Sequence, residues 1–350
     1  MVNDETFQFT IHHLPFTIML SRLYGSITNF RNALYERGVF RSVSLGVPVI
    51  SVGNITVGGT GKTPLVALIA EMSLAKDERV GILTRGYGRE NPKRRVLVSD
   101  GERILATAKS AGDEPFELAR KLRGKAVIVA DADRAAAGIW ARNEFNITTF
   151  ILDDAFQHRR VRRDTDLVLI DATNPFGSGK TLPFGILREP LENLKRADAI
   201  IITRVNLAES IENIKTRIRK YNPDCPIYAA ENRISNLTEL REFSEAEPKT
   251  KNQEPKTKNR FFAFCALGNP SNFYEQMRRE NFNLVSTRDF PDHHFYTAND
   301  VRELTNQARN AGAEILLTTA KDAVKLSDFD FQMPCSVVET ELIFDQEFKI

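Results

Sequence analysis

Three observations predict an α/β fold of the P-loop NTPase type. Short apolar strands alternate with helical segments along most of the chain. A glycine-rich loop follows the first strong strand and opens a helix. A later strand ends in paired acids. The expected architecture is a doubly wound, mainly parallel sheet with a smaller C-terminal α/β unit. The chain has 350 residues, 42% of them hydrophobic, enough for two domains with buried cores.

Charge narrows the function classes. The 48 basic residues nearly balance 46 acidic ones, so no nucleic-acid partner is expected. Cys225, Cys265 and Cys335 are widely spaced and fit neither a disulfide framework nor a metal site, which points to a reducing compartment. No apolar run approaches the ~18 residues of a membrane span. Acidic residues precede the first apolar run and no small-residue cleavage site follows it, so no signal peptide is expected.

The first element is a helix expected over residues 14–35. Phe16, Leu20, Leu23, Ile27, Phe30 and Leu34 recur at spacings of three and four, flanked by Arg22, Arg31, Arg37 and Arg41. Periodicity alone favours a helix packed on the domain over one lying on an anionic membrane.

Val49–Val52 is the β-branched strand that precedes the loop. Thr56, Val57, Gly58, Gly59, Thr60, Gly61, Lys62 and Thr63 form a phosphate-binding loop whose backbone N–H groups can close around ATP phosphates. Lys62 is expected to reach the β- and γ-phosphates and the Thr63 hydroxyl to ligate Mg²⁺. The G-x-x-x-x-G-K-S/T pattern asks for glycine at position 56, where this chain has threonine.

The strand Val80–Thr84 runs into Arg85-Gly86-Tyr87-Gly88-Arg89, placing two arginines at the sheet edge where open α/β folds bind ligands. Asp113 and Glu114 precede a helix and can cap it or do chemistry. The strand Phe150–Leu152 ends in Asp153 and Asp154, a Walker B-like pair suited to Mg²⁺. Asp171, at the end of the next strand, is a second candidate acid. Between them, Gln157 and His158 open a run with four arginines, a cluster suited to phosphate. Arg188 lies in the loop Gly185–Pro190, and Asp198–Arg204 holds another strand. That strand's end lacks the lysine and aspartate of Asn-Lys-x-Asp, so guanine specificity is not expected.

Residues 247–260 are a polar tandem heptad with Pro248 and Pro255, expected as a disordered insertion. A second α/β unit begins at Phe261. It carries His293 and His294 beside acids, without a third ligand at metal spacing.

Taken together, these motifs resemble one family, the lipid A 4′-kinases (tetraacyldisaccharide 4′-kinases) of Gram-negative bacteria. The matching stretches are Val52–Pro64, Thr84–Arg89, Gly112–Pro115, Asp153–Arg159, Leu187–Pro190, Gly268–Pro270, Phe290–His294 and Lys321–Val324. Thr56 agrees with the family's loop. Ala155 departs from its usual glycine, and Ala320 from an acid that is common there. The resemblance implies ATP-dependent phosphorylation of the 4′-hydroxyl of a tetraacylated glucosamine disaccharide 1-phosphate. It implies Asp113 and His293 as the acid–base pair. Thr63 with Glu114 or Asp153 would hold Mg²⁺, and Arg85, Asp154, Gln157, His158 and Arg188 would contact substrate or phosphate. It further implies that the N-terminal helix associates with the cytoplasmic face of the inner membrane, as a peripheral protein without an obligate protein partner.

The expected divisions are then 1–40, the membrane-associating helix; 41–225, the P-loop kinase domain; 226–260, a linker with the repeat; and 261–350, a subdomain completing the site. Two other function classes stand beside the kinase: a P-loop ATPase or GTPase switch, and a non-catalytic membrane-recruited ATP-binding module.

Overall fold

The computed structural model describes residues 5–244 and 259–349. Residues 247–258 of the heptad repeat and the side chains of residues 5–16, Phe16 among them, lie outside the described residues.

Twelve strands form one sheet: β1 (Val49–Asn54), β2 (Val80–Thr84), β3 (Val96–Asp100), β4 (Val127–Ala130), β5 (Thr149–Asp153), β6 (Thr165–Asp171), β7 (Ala199–Thr203), β8 (Ile227–Glu239), β9 (Arg260–Cys265), β10 (Asn283–Asp289), β11 (Ile315–Thr319) and β12 (Cys335–Phe344). Their order is β10-β9-β11-β12-β8-β7-β6-β1-β5-β2-β4-β3. The described helices are α1 (Glu5–Glu36), α2 (Lys62–Leu74), α3 (Ala108–Ala111), α4 (Asp113–Lys121), α5 (Arg134–Phe145), α6 (Glu212–Arg219), α7 (Leu240–Ser244), α8 (Pro270–Arg279), α9 (Ala298–Asn310) and α10 (Ala320–Ala323).

The sheet is parallel except where β3 meets β4 and β8 meets β12. β1 lies between β5 and β6; the chain leaves β1 for β2 on the far side of β5, and β6, β7 and β8 follow one another on the opposite side. This is the topological switch point, the edge at which open α/β sheets bind ligands. The core strands are apolar throughout because helices cover both faces. Leu65, Val66 and Ile69 of α2 pack on one face, and Ala137 and Ala141 of α5 on the other. In β9 the alternation is visible residue by residue: Phe262 and Phe264 enter one core, Phe261 and Ala263 the opposite one.

Within the expected linker 226–260, residues Ile227–Glu239 form β8 and Leu240–Ser244 form α7. β8 pairs with β7 through residues 227–230 and with β12 through residues 230–239. β12 in turn pairs with β11 through residues 335–338. Between those wider sheets, residues 231–236 and 339–343 run as a two-stranded ribbon, with a register shift between Glu339 and Thr340.

α1 lies on the protein with its polar side inward. Ser21, Thr28 and Asn32 are buried, while Met19, Leu23, Ile27 and Phe30 are 56%, 54%, 59% and 65% exposed. Leu20 and Leu34 are half-buried. Gly25 allows close approach, since a Cβ there would stand 3.2 Å from Pro190. The packed helix expected from periodicity would bury the apolar stripe, and the structure shows the opposite. No described helix is long and apolar enough to cross a membrane.

Candidate active site

A cleft of about 1480 Å³ opens between the P-loop half and the C-terminal half. The loop Val57–Thr63 forms its floor. Gly61 caps α2 at φ +83°, a conformation glycine adopts without strain, and no side chain takes up the first N–H groups of that helix. Thr56 does not face the cleft. It is buried and bridges to Leu187, so its part in the loop is structural.

Lys62 Nζ lies 3.4 Å from Asp154 Oδ1. Burial works against ionisation of Asp154, but Lys62, Arg188 and Arg134 outweigh it and hold its carboxyl well below the usual range. Asp153 behaves differently. Burial, helped by Glu114 and Asp154, pushes its carboxyl up to about 6. Its Oδ2 accepts a hydrogen bond from Thr84 at 3.1 Å. Register places Asp153 beside Val52 of β1, next to the loop. A third acid, Asp171, is taken up by Arg204, Thr173 and Asn272. Arg204 also donates to Gly59 O at 2.8 Å, so the strand end that lacks a guanine motif braces the phosphate loop instead.

Asp113 and His293 meet across the cleft. His293 Nδ1 lies 3.0 and 2.9 Å from the two oxygens of Asp113. Burial favours the neutral acid, but the His293 hydrogen bond and the charges of Lys321, His293 and Lys325 prevail and lower the Asp113 pKa. An ionised carboxylate can only accept, so Nδ1 carries the proton of this contact and Nε2 is the ring nitrogen left for substrate. Asp113 is buried behind this contact, whereas His293 lines the cleft. Gly112 makes the arrangement possible: at φ +96° its Cβ would stand 2.6 Å from Tyr87 O. Asp154, Arg204 and His293 themselves adopt φ of +48°, +56° and +61°. Such strained backbone costs of order 1–3 kcal/mol per residue and gathers at functional sites.

Glu114 lines the cleft but is paired with Lys321, at 3.2 Å. Arg85, Gln157, His158 and Arg188 also line it. Burial first, then Arg134 and Arg163, pushes His158 down to about 4, leaving it neutral. None of the four arginines beyond it lines the cleft, and three are held elsewhere. Arg159 donates to Asn32 O of α1, Arg160 pairs with Asp133, and Arg163 donates to Ala155 O and Asp166. Arg89 likewise turns away, donating to Pro92 O.

His293 and His294 go to separate partners, since His294 Nε2 lies 3.2 Å from Asp300 and the ring stacks on Phe290. Among the described residues no three His, Cys, Asp or Glu side chains are gathered to hold a metal. Mg²⁺ needs less from a protein, one or two carboxylates beside phosphate oxygens and water. Thr63 and Asp153, which forms no ion pair among the described residues, fit that requirement. Residues to which the sequence assigned no role also enter the site: Lys321 and Arg134 line the cleft, and Lys325 stands behind Asp113.

A phosphate loop at the switch point, a carboxylate at the neighbouring strand end and an Asp–His pair facing them define a P-loop phosphotransferase. Comparisons give the particular kind. The model of the LpxK family, tetraacyldisaccharide-1-P 4′-kinase, matches residues 14–349. The tetraacyldisaccharide 4′-kinase of Geobacter metallireducens is 40% identical over 313 residues, 89% of this chain and 88% of that protein. That of Desulfotalea psychrophila is 38% identical over 317 residues, 90% and 88% of the two chains. A crystal structure of LpxK from Aquifex aeolicus, the "apo" form in complex with ATP, superposes with a TM-score of 0.72 at 31% identity, covering 96% of this chain and 95% of that one. The chain belongs to the tetraacyldisaccharide-1-P 4′-kinase family. It is a kinase of lipid A biosynthesis, and neither a nucleotide switch nor a non-catalytic module is favoured.

Proposed function

We propose that the chain transfers the γ-phosphoryl group of ATP to the 4′-hydroxyl of a tetraacylated disaccharide 1-phosphate held at the cytoplasmic surface of the inner membrane. The observation that carries the chemistry is the Asp113–His293 contact at the cleft wall opposite the phosphate loop. His293 Nε2 takes the hydroxyl proton, and Asp113 orients the ring and balances the imidazolium that forms. Asp113 as the direct base is less favoured, because it is buried and held as a stable carboxylate.

Lys62 and the loop N–H groups bind the phosphates. Thr63 and Asp153 would hold Mg²⁺, which when bound neutralises charge on the β- and γ-phosphates. Glu114 is a weaker ligand candidate because Lys321 already occupies it. Arg85, Gln157, His158 and Arg188 contact the sugar or its phosphate.

The acyl chains explain α1. Its exposed Met19, Leu23, Ile27 and Phe30 face outward, while Tyr24, Thr28 and Arg31 of the same helix line the cleft. A lipid-facing stripe beside the cleft lets a substrate react without leaving the bilayer. The test is turnover of a tetraacyldisaccharide 1-phosphate by purified protein with Mg·ATP, following 4′-phosphate formation. No product from a folded, ATP-binding protein would reject the reading.

A further inference from the structure

Lys325 is a cation with a buried side chain beside the site. Its side chain is 3% exposed, and its Nζ lies 3.2 Å from Asp322 Oδ1 and 3.7 Å from Asp113 Oδ2. Neither carboxylate is aligned as a hydrogen-bond acceptor for it. The ring of Tyr296 covers it, 5.6 Å from Nζ. Asp322 is an anchor: wholly buried, its Oδ2 accepts from Ala266 N at 3.1 Å and from Thr319 Oγ1 at 2.7 Å. One helical turn earlier, Lys321 Nζ lies 3.2 Å from both Glu114 and Asp292. Two lysines four residues apart in the C-terminal half thus meet two successive acids, Asp113 and Glu114, of the P-loop half.

A buried ammonium carries a desolvation cost of several kcal/mol, and an apolar pair is often the more stable choice. Neutralising Asp322 is therefore a weak reason for Lys325 to be there. Its reach to Asp113 supplies a stronger one. Asp113 must keep one orientation for His293 to present Nε2 to the cleft; Glu114 N donates to its Oδ1 at 3.0 Å, and Lys325 is the cation on the Oδ2 side.

We propose that Lys325, anchored by Asp322, is a positioning residue that fixes the Asp113 carboxylate and, through it, the His293 ring. The inference rests on the Asp113–His293 pair proposed above. Lys325 touches no substrate; it acts by holding the pair from the C-terminal half.

The experiment uses the full chain with three variants: Lys325→Met, Lys325→Met/Asp322→Asn, and His293→Ala. Lys325→Met alone strands Asp322 in the interior and is expected to melt early. The double variant removes both charges and is expected to fold with a Tm near wild type, so it is the decisive one. Its kcat should fall about 10- to 100-fold, as when a group orienting a site ligand is lost, with little change in KM for ATP. The ring-nitrogen NMR signals of His293 should move from a single Nδ1–H tautomer to a mixture. A double variant with wild-type kcat and an unchanged His293 signature would show that Lys325 only balances Asp322. Full activity in His293→Ala would remove the Asp–His pair itself. An inactive His293→Ala beside an unimpaired double variant would remove only the role of Lys325.

Discussion

Arg188 Nη1 grips both oxygens of Asp154, at 2.7 and 2.9 Å. With Lys62 on the same carboxylate, two cations are gathered where the terminal phosphates of a nucleotide belong. Lys62 is then expected to exchange Asp154 for phosphate when ATP binds. Lys62→Ala and Thr63→Ala should each lower kcat/KM by at least ~10²-fold, the usual loss for a charge-stabilising donor. Thermal melting should stay near wild type. Normal turnover by a folded Lys62→Ala protein would undo the assignment of the loop to phosphate.

The Asp113–His293 pair makes a sharper claim. Each alanine substitution should lower kcat by ~10²–10⁴-fold, with a smaller effect on ATP affinity. The double variant should cost little more than the worse single one, because groups acting as a unit are non-additive. Fully additive losses would mean that the two residues do separate jobs.

Exposure sets the expectation for α1. Leu23 and Ile27 do not pack on the protein, so Leu23→Asp/Ile27→Asp should leave Tm nearly unchanged. Binding to vesicles containing anionic lipid should drop strongly in a flotation assay. Unfolding of the variant together with undiminished vesicle binding would contradict an outward-facing stripe.

Glu117, half-buried in the cleft wall, gives a pH prediction. Burial pushes its carboxyl from 4.5 up to about 7, against the pull of Lys121 and Lys321. The folded state thus binds more protons than the unfolded state between those values. Its contribution is fully present below about 4.5 and is lost as pH rises through about 7. Glu117→Gln should therefore raise Tm at pH 8, by roughly 2–4 °C per kcal/mol recovered, and change little at pH 4. Equal shifts at both pH values would assign the effect to packing rather than to charge.

Much of this is legible in the chain. The loop residues, the strand-end acids and the parallel sheet follow from local pattern, because glycine spacing and apolar runs act over a few residues. What pattern misses depends on partners far away in sequence. The arginines after His158 look like a phosphate cluster until Asn32, Asp133 and Asp166 are seen to take them. The stripe on α1 predicts an amphipathic helix but not which face meets the protein, because the partners of the polar face, among them Glu189 at 2.7 Å from Asn32, lie about half the chain away. Asp113 and His293 are linked in the sequence only by family resemblance, since 180 residues separate them. Lys325 gives no signal, because a lysine after a short helix is ordinary until its burial is known.

The ribbon of β8 and β12 joins the two halves of the sheet. Residues beyond either end of it are stitched into wider sheets, so 231–236 with 339–343 form the narrowest span of the sheet. The phosphate loop follows a strand on one side of that narrow span, and His293 follows a strand on the other. Asn232, Asn236 and Glu339 of that span line the cleft. The narrow link between the two halves is therefore also part of the wall that any ligand filling the cleft must meet.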